Sequence, residues 1–272
     1  MSQPNYDYFR SGTGPPLVLL HPALTTWRMW LPVIEPLTAH HDVFAPTMPG
    51  HHGGPPSPPD LTFAGLADAV EAQLDEAGID QAHLVGNSLG AVATLELAHR
   101  GRALSVTAIS PPGAWGSWVD RLLLEVKLGT AVHLARAPIP PVPFHHSAHL
   151  RKIALASMMR HGDRVPKSEV AHLLAGRRSS ATFVATLIRG LRGEAHREPP
   201  FRPTAVPTLI AWPEHDRVLP FKRFGVPLLD LLPDASYASL PGVGHVPMYD
   251  DPALVAETIL SMTSPSAVET AV

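Results

Sequence analysis

Residues 83–91 read HLVGNSLGA, and the fold turns on how this stretch is understood. An apolar run reaches Gly86, a lone serine stands at 88, and Gly90 follows before an apolar, helix-forming stretch. A plain turn needs one glycine. Two glycines placed symmetrically about a hydroxyl meet a different need. A buried strand that turns at once into a helix crowds the atoms on both sides of the turning residue. Glycines two before and two after relieve the crowding. The turn then lifts the hydroxyl to the helix N-terminus, where backbone N–H groups face an incoming anion. A serine that merely caps the helix accounts for the hydroxyl but not for the paired glycines.

Working outward, apolar runs alternate with helical patterns. PLVLLH (16–21) is almost wholly apolar, as a strand buried on both faces should be. HDVFAPTMPG (41–50), QAHLVGNS (81–88), LSVTAIS (104–110), VPTLIAWPEHD (206–216) and ASYASLPGVGH (235–245) each hold a further strand. FAGLADAVEAQLDEAG (63–78) has helical spacing and closes on Gly78, and LGAVATLELAHR (89–100) runs to Gly101. PALVAETILSM (252–262) begins on Pro252, a residue suited to a first helical turn. Strands alternating with helices imply right-handed crossovers. The predicted class is α/β, a mostly parallel central sheet with flanking helices.

Residues 113–197 break the pattern. They carry no strand signal but four helical stretches, at 118–135, 149–161, 168–176 and 181–192. The expected division is an α/β core of residues 1–112 plus 198–272 and an all-helical cap of residues 113–197. The tail 263–272 is expected to fray.

Composition narrows the function. The chain has 272 residues, 45% of them hydrophobic and 17% charged, with a net charge of −3, so nothing favours nucleic acid or an anionic membrane. It has no cysteine, which excludes disulfides, thiolate metal sites and a cysteine nucleophile. No stretch approaches the about eighteen apolar residues of a membrane span. The first residues show no apolar signal segment, so a cytoplasmic location is expected. The pairs His40–His41, His51–His52 and His145–His146 point their side chains apart, and no metal-ligand spacing occurs. There is no dinucleotide fingerprint or P-loop. No metal and no cofactor are expected, and the oligomeric state stays open.

A serine nucleophile needs a base and an orienting acid, and both are available downstream. Asp216 follows a buried strand in LIAWPEHDRVLP, with Glu214 as the rival acid, and His245 lies in SLPGVGHVPMYDDP after the last strand. Both sit at strand C-terminal ends, where parallel sheets bind ligands. His245 would take the proton of Ser88, and Asp216 would hold the imidazole tautomer.

With these motifs in place, the chain resembles the serine hydrolases of the α/β-hydrolase superfamily. It is nearest the cap-bearing group of esterases, C–C hydrolases, lactonases and cofactor-free perhydrolases. The resemblance is carried by LLHPALTTWRMW, MPGHHGGPPSP, GNSLG, EHDRVLP and GHVPMYDDP, and covers nearly the whole chain outside the cap. It implies an oxyanion hole built from the N–H groups of Ala23 and Leu89, with Pro22 where the family usually has glycine. It implies hydrolysis of a carboxylic ester or lactone of a hydrophobic small molecule, through an acyl-enzyme on Ser88. Dehalogenases and epoxide hydrolases of this fold carry aspartate at the elbow, and this chain has Ser88. Asn87 before the serine is similar to the meta-cleavage C–C hydrolases, which makes C–C hydrolysis the alternative. A ligand-binding member of the fold with little turnover is the reading from a different class. Leu24, Trp27, Trp115, Trp118 and Val246 lie near the expected site in sequence and would line an apolar pocket.

Overall fold

The computed structural model describes residues 5–60, 62–137, 146–194 and 201–264. Seven strands form one sheet in the order β1-β3-β2-β4-β5-β6-β7, with ranges Tyr8–Ser11, Pro16–Leu20, Asp42–Pro46, Ala82–Asn87, Ala103–Ile109, Thr208–Pro213 and Ser236–Leu240 in chain order β1 to β7. Only β1 is antiparallel, paired with β3 at the sheet edge; every other pair is parallel. The α/β class and the mostly parallel sheet are as the sequence implied. The edge strand β1 carries no apolar run and was not anticipated.

Alternation along the strands explains the two-sided core. In β2, Val18 and Leu20 pack with the core that α2 (Phe63–Glu76) and α3 (Leu89–His99) cover. Leu17 and Leu19 pack with the core beneath α1 (Leu31–Thr38) and α8 (Pro252–Ser261). One pleat therefore feeds both faces, and a strand so placed must be apolar throughout.

The helix ends follow from local chemistry. Helix α2 starts on the Thr62 hydroxyl, which accepts from Gly65 N–H at 3.0 Å. It stops at Gly78, whose φ of +70° lets its N–H reach Asp75 O while Ile79 N–H reaches Leu74 O. Those are the two bonds of a left-handed helix stop. Pro252 opens α8 behind Asp251, whose carboxylate accepts Leu254 N–H at 3.0 Å.

Strand direction sets where the crevice lies. The chain runs from β2 outward to β3, returns through α2 to β4 on the other side of β2, and then proceeds to β7. The direction of winding reverses between β2 and β4. Their C-terminal ends therefore diverge into a crevice, the usual ligand position in an open parallel sheet.

Between β5 and β6 the described residues hold α4 (Trp118–Arg136), α5 (Ala148–Ala154) and α6 (Lys167–Glu194), with no strand among them. The stretches 168–176 and 181–192, expected to be separate, are parts of one 28-residue helix. Gly176 lies inside α6, where an added Cβ would meet the His52 side chain at 2.4 Å. It serves close packing. Helix α7 (Phe221–Leu231) also escaped the sequence reading, because Pro227 lies within it. Expectations that fall on 138–145, 195–200 and 265–272 lie outside the described residues. Among those described, no helix is long and apolar enough to cross a membrane.

Several histidines are buried as neutral rings. His51 and His83 are held down to about 4 by burial, and His21 is lowered well below the ordinary value by burial and by His51. A group whose folded pKa lies below its unfolded one binds its proton first in the unfolded chain. Stability is therefore complete above the unfolded value of 6.5, falls as the pH drops toward 4, and stays lost below it. His51 and His83 should each remove on the order of 2 kcal/mol by about pH 5. Urea unfolding followed by circular dichroism should show the midpoint falling between about pH 7 and about pH 5; an unchanged midpoint would refute the neutral burial.

Candidate active site

Ser88 sits where β4 becomes α3, with φ 54° and ψ −116°, and its hydroxyl makes no capping hydrogen bond to the helix. That geometry excludes the simple capping role. An added Cβ on Gly90 would lie 2.1 Å from Leu20 O, and one on Gly86 would lie 2.3 Å from Gly90 C. Both contacts are to backbone, so neither can be relieved by a side chain moving aside. The paired glycines are thus required by the approach of α3 to β2 and β4. Three non-glycine residues have positive φ among those described, and they are Leu24, Ser88 and Ser110. They follow β2, β4 and β5, all at the C-terminal edge of the sheet. Strain of this kind persists only where the surroundings over-determine it.

The acid and the base meet at the same edge. His245 Nδ1 lies 2.7 Å from Asp216 Oδ2, and both side chains are buried. The other oxygen of Asp216 accepts the N–H groups of Val218 at 2.9 Å and Leu219 at 2.7 Å. With its acceptor sites so filled, Asp216 is an ionised acceptor, and the proton on the shared bond belongs to His245 Nδ1. That leaves Nε2 as the basic nitrogen. Glu214 is turned elsewhere: its carboxylate is half exposed and accepts Gly242 N–H at 2.9 Å. Ser88 makes no side-chain hydrogen bond to His245 among the described residues, a looseness common in unliganded sites.

Opposite Ser88, the loop after β2 is held by His21. Its Nε2 accepts Met48 N–H at 2.9 Å, which puts the proton on Nδ1, 2.9 Å from Pro22 O. Thr25 donates to the same carbonyl at 2.7 Å. This bracing gives Pro22 a fixed place without any glycine. It also leaves the Ala23 N–H, like the Leu89 N–H at the start of α3, without an intramolecular acceptor among the described residues. His51 stands edge-on to His21, with centroids 4.8 Å apart, and Phe183 of α6 lies 5.2 Å beyond. The bracing role of His21 escaped the sequence reading, although it lies in the quoted motif.

The inserted helices reach this edge from several sides. Glu169 of α6 pairs with Arg28 through two bonds, at 2.8 and 2.6 Å, and His172 lies 3.3 Å from the Thr26 hydroxyl. Lys127 of α4 donates to Arg217 O at 3.0 Å, in the loop that carries Asp216. The five residues expected to line a pocket are dispersed. Leu24 and Trp115 pack against the core on the α2–α3 side. Trp27 packs against the opposite core and stacks on Phe9 at 5.7 Å, and Val246 is wholly buried in that core. Trp118 is 75% exposed at the start of α4. No group of three or more potential metal ligands occurs among the described residues.

Similarity to known proteins identifies the family. Residues 17–258 match the profile of the Alpha/beta hydrolase family. The chain is 33% identical over 209 residues to "Epoxide hydrolase EphH" of Mycobacterium tuberculosis, covering 74% of this chain and 94% of that one. It is 24% identical over 244 residues to the 2-hydroxy-6-oxo-6-phenylhexa-2,4-dienoate hydrolase of Burkholderia cepacia, covering 86% of this chain and 82% of that one. A thermophilic esterase from Thermogutta terrifontis superposes with a TM-score of 0.70 at 17% identity, over 94% of this chain and 91% of the other.

The elbow is open to a direct test. Gly90→Ala must push α3 away from β2, an overpacking cost of about 1–3 kcal/mol, and more if the strand cannot yield. The urea midpoint of Gly90→Ala should fall accordingly. Gly129→Ala is the control, since an added Cβ there meets nothing within 4 Å. Equal stability of the two variants would contradict the close approach. On its elbow, its buried Asp216–His245 pair and its sequence match, the chain belongs to the alpha/beta hydrolase family.

Proposed function

We propose that the protein is a serine hydrolase that cleaves a carboxylic ester or lactone of a hydrophobic small molecule through an acyl-enzyme on Ser88. The observation that carries this reading is the buried 2.7 Å pair of Asp216 and His245, set at the same sheet edge as a hydroxyl on a strained elbow. In this reading Nε2 of His245 takes the Ser88 proton as Oγ attacks the carbonyl carbon. Asp216 stabilises the imidazolium that results. The oxygen that becomes negative lies between the N–H groups of Ala23 and Leu89, which have no other acceptor among the described residues. The imidazolium then returns its proton to the departing alkoxide. Water repeats the sequence on the acyl-enzyme and frees Ser88. Residues 113–197 serve as the cap over a core of residues 1–112 and 198–272. Leu24 beside Ala23 supplies apolar surface next to the reacting groups, and Trp27, Trp115 and Trp118 are the more distant candidates, whereas Val246, wholly buried, packs behind His245.

C–C hydrolysis is the second reading, favoured by the Asn87–Ser88 order and by the similarity to the Burkholderia cepacia enzyme. Binding without turnover is the third. Purified protein with short p-nitrophenyl esters, lactones and a vinylogous 1,5-diketone separates them. Ester or lactone turnover is expected. Ser88→Ala should remove it while the circular dichroism spectrum is retained, and a fluorophosphonate should add one adduct to the wild type and none to the variant. Turnover surviving in Ser88→Ala would sink the assignment.

The oxyanion hole is tested separately. Ala23→Ser keeps the N–H and should retain most activity. Ala23→Pro deletes it and should lower kcat roughly 10²- to 10³-fold. An undiminished kcat in a stable, fluorophosphonate-labelled Ala23→Pro protein would remove Ala23 from the hole.

A further inference from the structure

The backbone around His245 is gripped on three sides, by groups from three different parts of the chain. Gly244 N–H, one residue before, donates to Asp250 Oδ2 at 2.8 Å. The carbonyl of His245 accepts from Asn87 Nδ2 at 3.0 Å, next to the elbow serine. Val246 N–H, one residue after, donates to Met158 O at 2.8 Å, in the segment inserted between β5 and β6.

Asp250 is the centre of this arrangement. Its carboxylate is almost wholly buried, and besides Gly244 it accepts Arg160 N–H at 2.9 Å on Oδ2 and His161 N–H at 2.6 Å on Oδ1. Its backbone carbonyl also accepts from Arg164 Nη1. Three backbone donors on one buried carboxylate are charge-assisted bonds, stronger than neutral ones. They compensate a charge that would otherwise be costly to bury. The loop and the inserted segment are also in contact through their backbones: a Cβ on Gly244 would lie 3.0 Å from Met158 O and 3.1 Å from Met159 Cα. Asn87 is held in place by Nδ2, which serves both Ile109 O and His245 O, while its Oδ1 is buried without a partner among the described residues.

We infer that Asp250 is a positioning residue for His245, and that through it residues 160 and 161, in the loop of the inserted segment after α5, set the imidazole against Asp216. The side chain of Asp250 touches no reacting group. It fixes the residue before His245, and a displacement of about 1 Å in such a group can cost on the order of 100-fold in rate. The inserted segment is then part of the catalytic geometry as well as a cover for it. This rests on the reading of His245 as the general base.

Asp250→Asn is nearly isosteric but places an amide NH₂ where a carboxylate oxygen met an N–H, so at least one of the three donors loses its acceptor. Two readouts apply. The first is kinetic: kcat on a p-nitrophenyl ester should fall roughly 10- to 100-fold, with KM changed less than about threefold. The second is spectroscopic and independent of turnover. The Nδ1 proton shared with Asp216 should give a downfield proton resonance in the wild type, assigned by its loss in Asp216→Asn. In Asp250→Asn that resonance should shift or broaden, while signals of the remote buried His83 stay in place. If Asp250→Asn does not fold, Asp250→Glu, which keeps the charge and displaces it by one methylene, carries the same two readouts. A lower Tm with kcat and the resonance both unchanged would make Asp250 purely structural and overturn the inference. If the wild type hydrolyses no ester, the serine-hydrolase reading fails, and the resonance alone still decides whether Asp250 holds His245.

Discussion

The structure depends on how closely the first turn of α3 approaches β2 and β4. No side chain fits between Gly90 and the Leu20 carbonyl, or between Gly86 and Gly90. That approach brings the N-terminus of α3 over the crevice where the winding of the sheet reverses, and it forces Ser88 into a backbone conformation that few L-residues adopt. The same approach sets the start of α3 against the end of β2, where the loop carrying Ala23 begins. Asn87 reaches His245 O for the same reason, since it is the last residue of the strand that the elbow terminates.

Around this edge burial keeps the histidine rings neutral, and each buried anion has its own donors. His21 and His51 are neutral through burial. Asp216 is held by two backbone N–H groups and His245, Asp250 by three backbone N–H groups, and Glu169 by the fork of Arg28. The choice of donor matches the task. Arg28–Glu169 ties two elements together through flexible side chains. Asp250 is set by backbone alone, which moves less and therefore fixes position more firmly. Asp216 combines both, with a rigid cradle on one oxygen and the imidazole on the other.

Much of this was legible in the sequence because the deciding signals are local. Gly86, Ser88 and Gly90 announce the elbow, Gly78 announces a helix end, and the wholly apolar β2 announces burial on both faces. What escaped was decided by long-range packing. β1 is an edge strand made of YFRS, too polar and too short to show a strand pattern, and it exists because β3 offers it a partner. The stretches 168–176 and 181–192 read as separate helices, yet α6 runs on through Gly176, where His52 lies in the place of a side chain. Sequence order named Asp216 as the acid but left Glu214, two residues away, as a rival. The loop turns one toward His245 and the other toward Gly242. Asp250 stood in the quoted motif GHVPMYDDP without a role, because its partners at 160 and 161 lie some ninety positions away.

The likeness to an epoxide hydrolase bears on the scaffold more than on the bond that is broken. A carboxylate that opens an epoxide forms an ester, which water can then cleave at its carbonyl. A serine alkoxide that opens an epoxide forms an ether, which offers water no carbonyl to attack, and the enzyme would stop after one turnover. On that chemistry the proposed reading, with Ser88 as nucleophile, takes a substrate that brings its own carbonyl. The elbow does not care which residue it lifts, because its steric demands fall on the glycines at 86 and 90 and not on position 88.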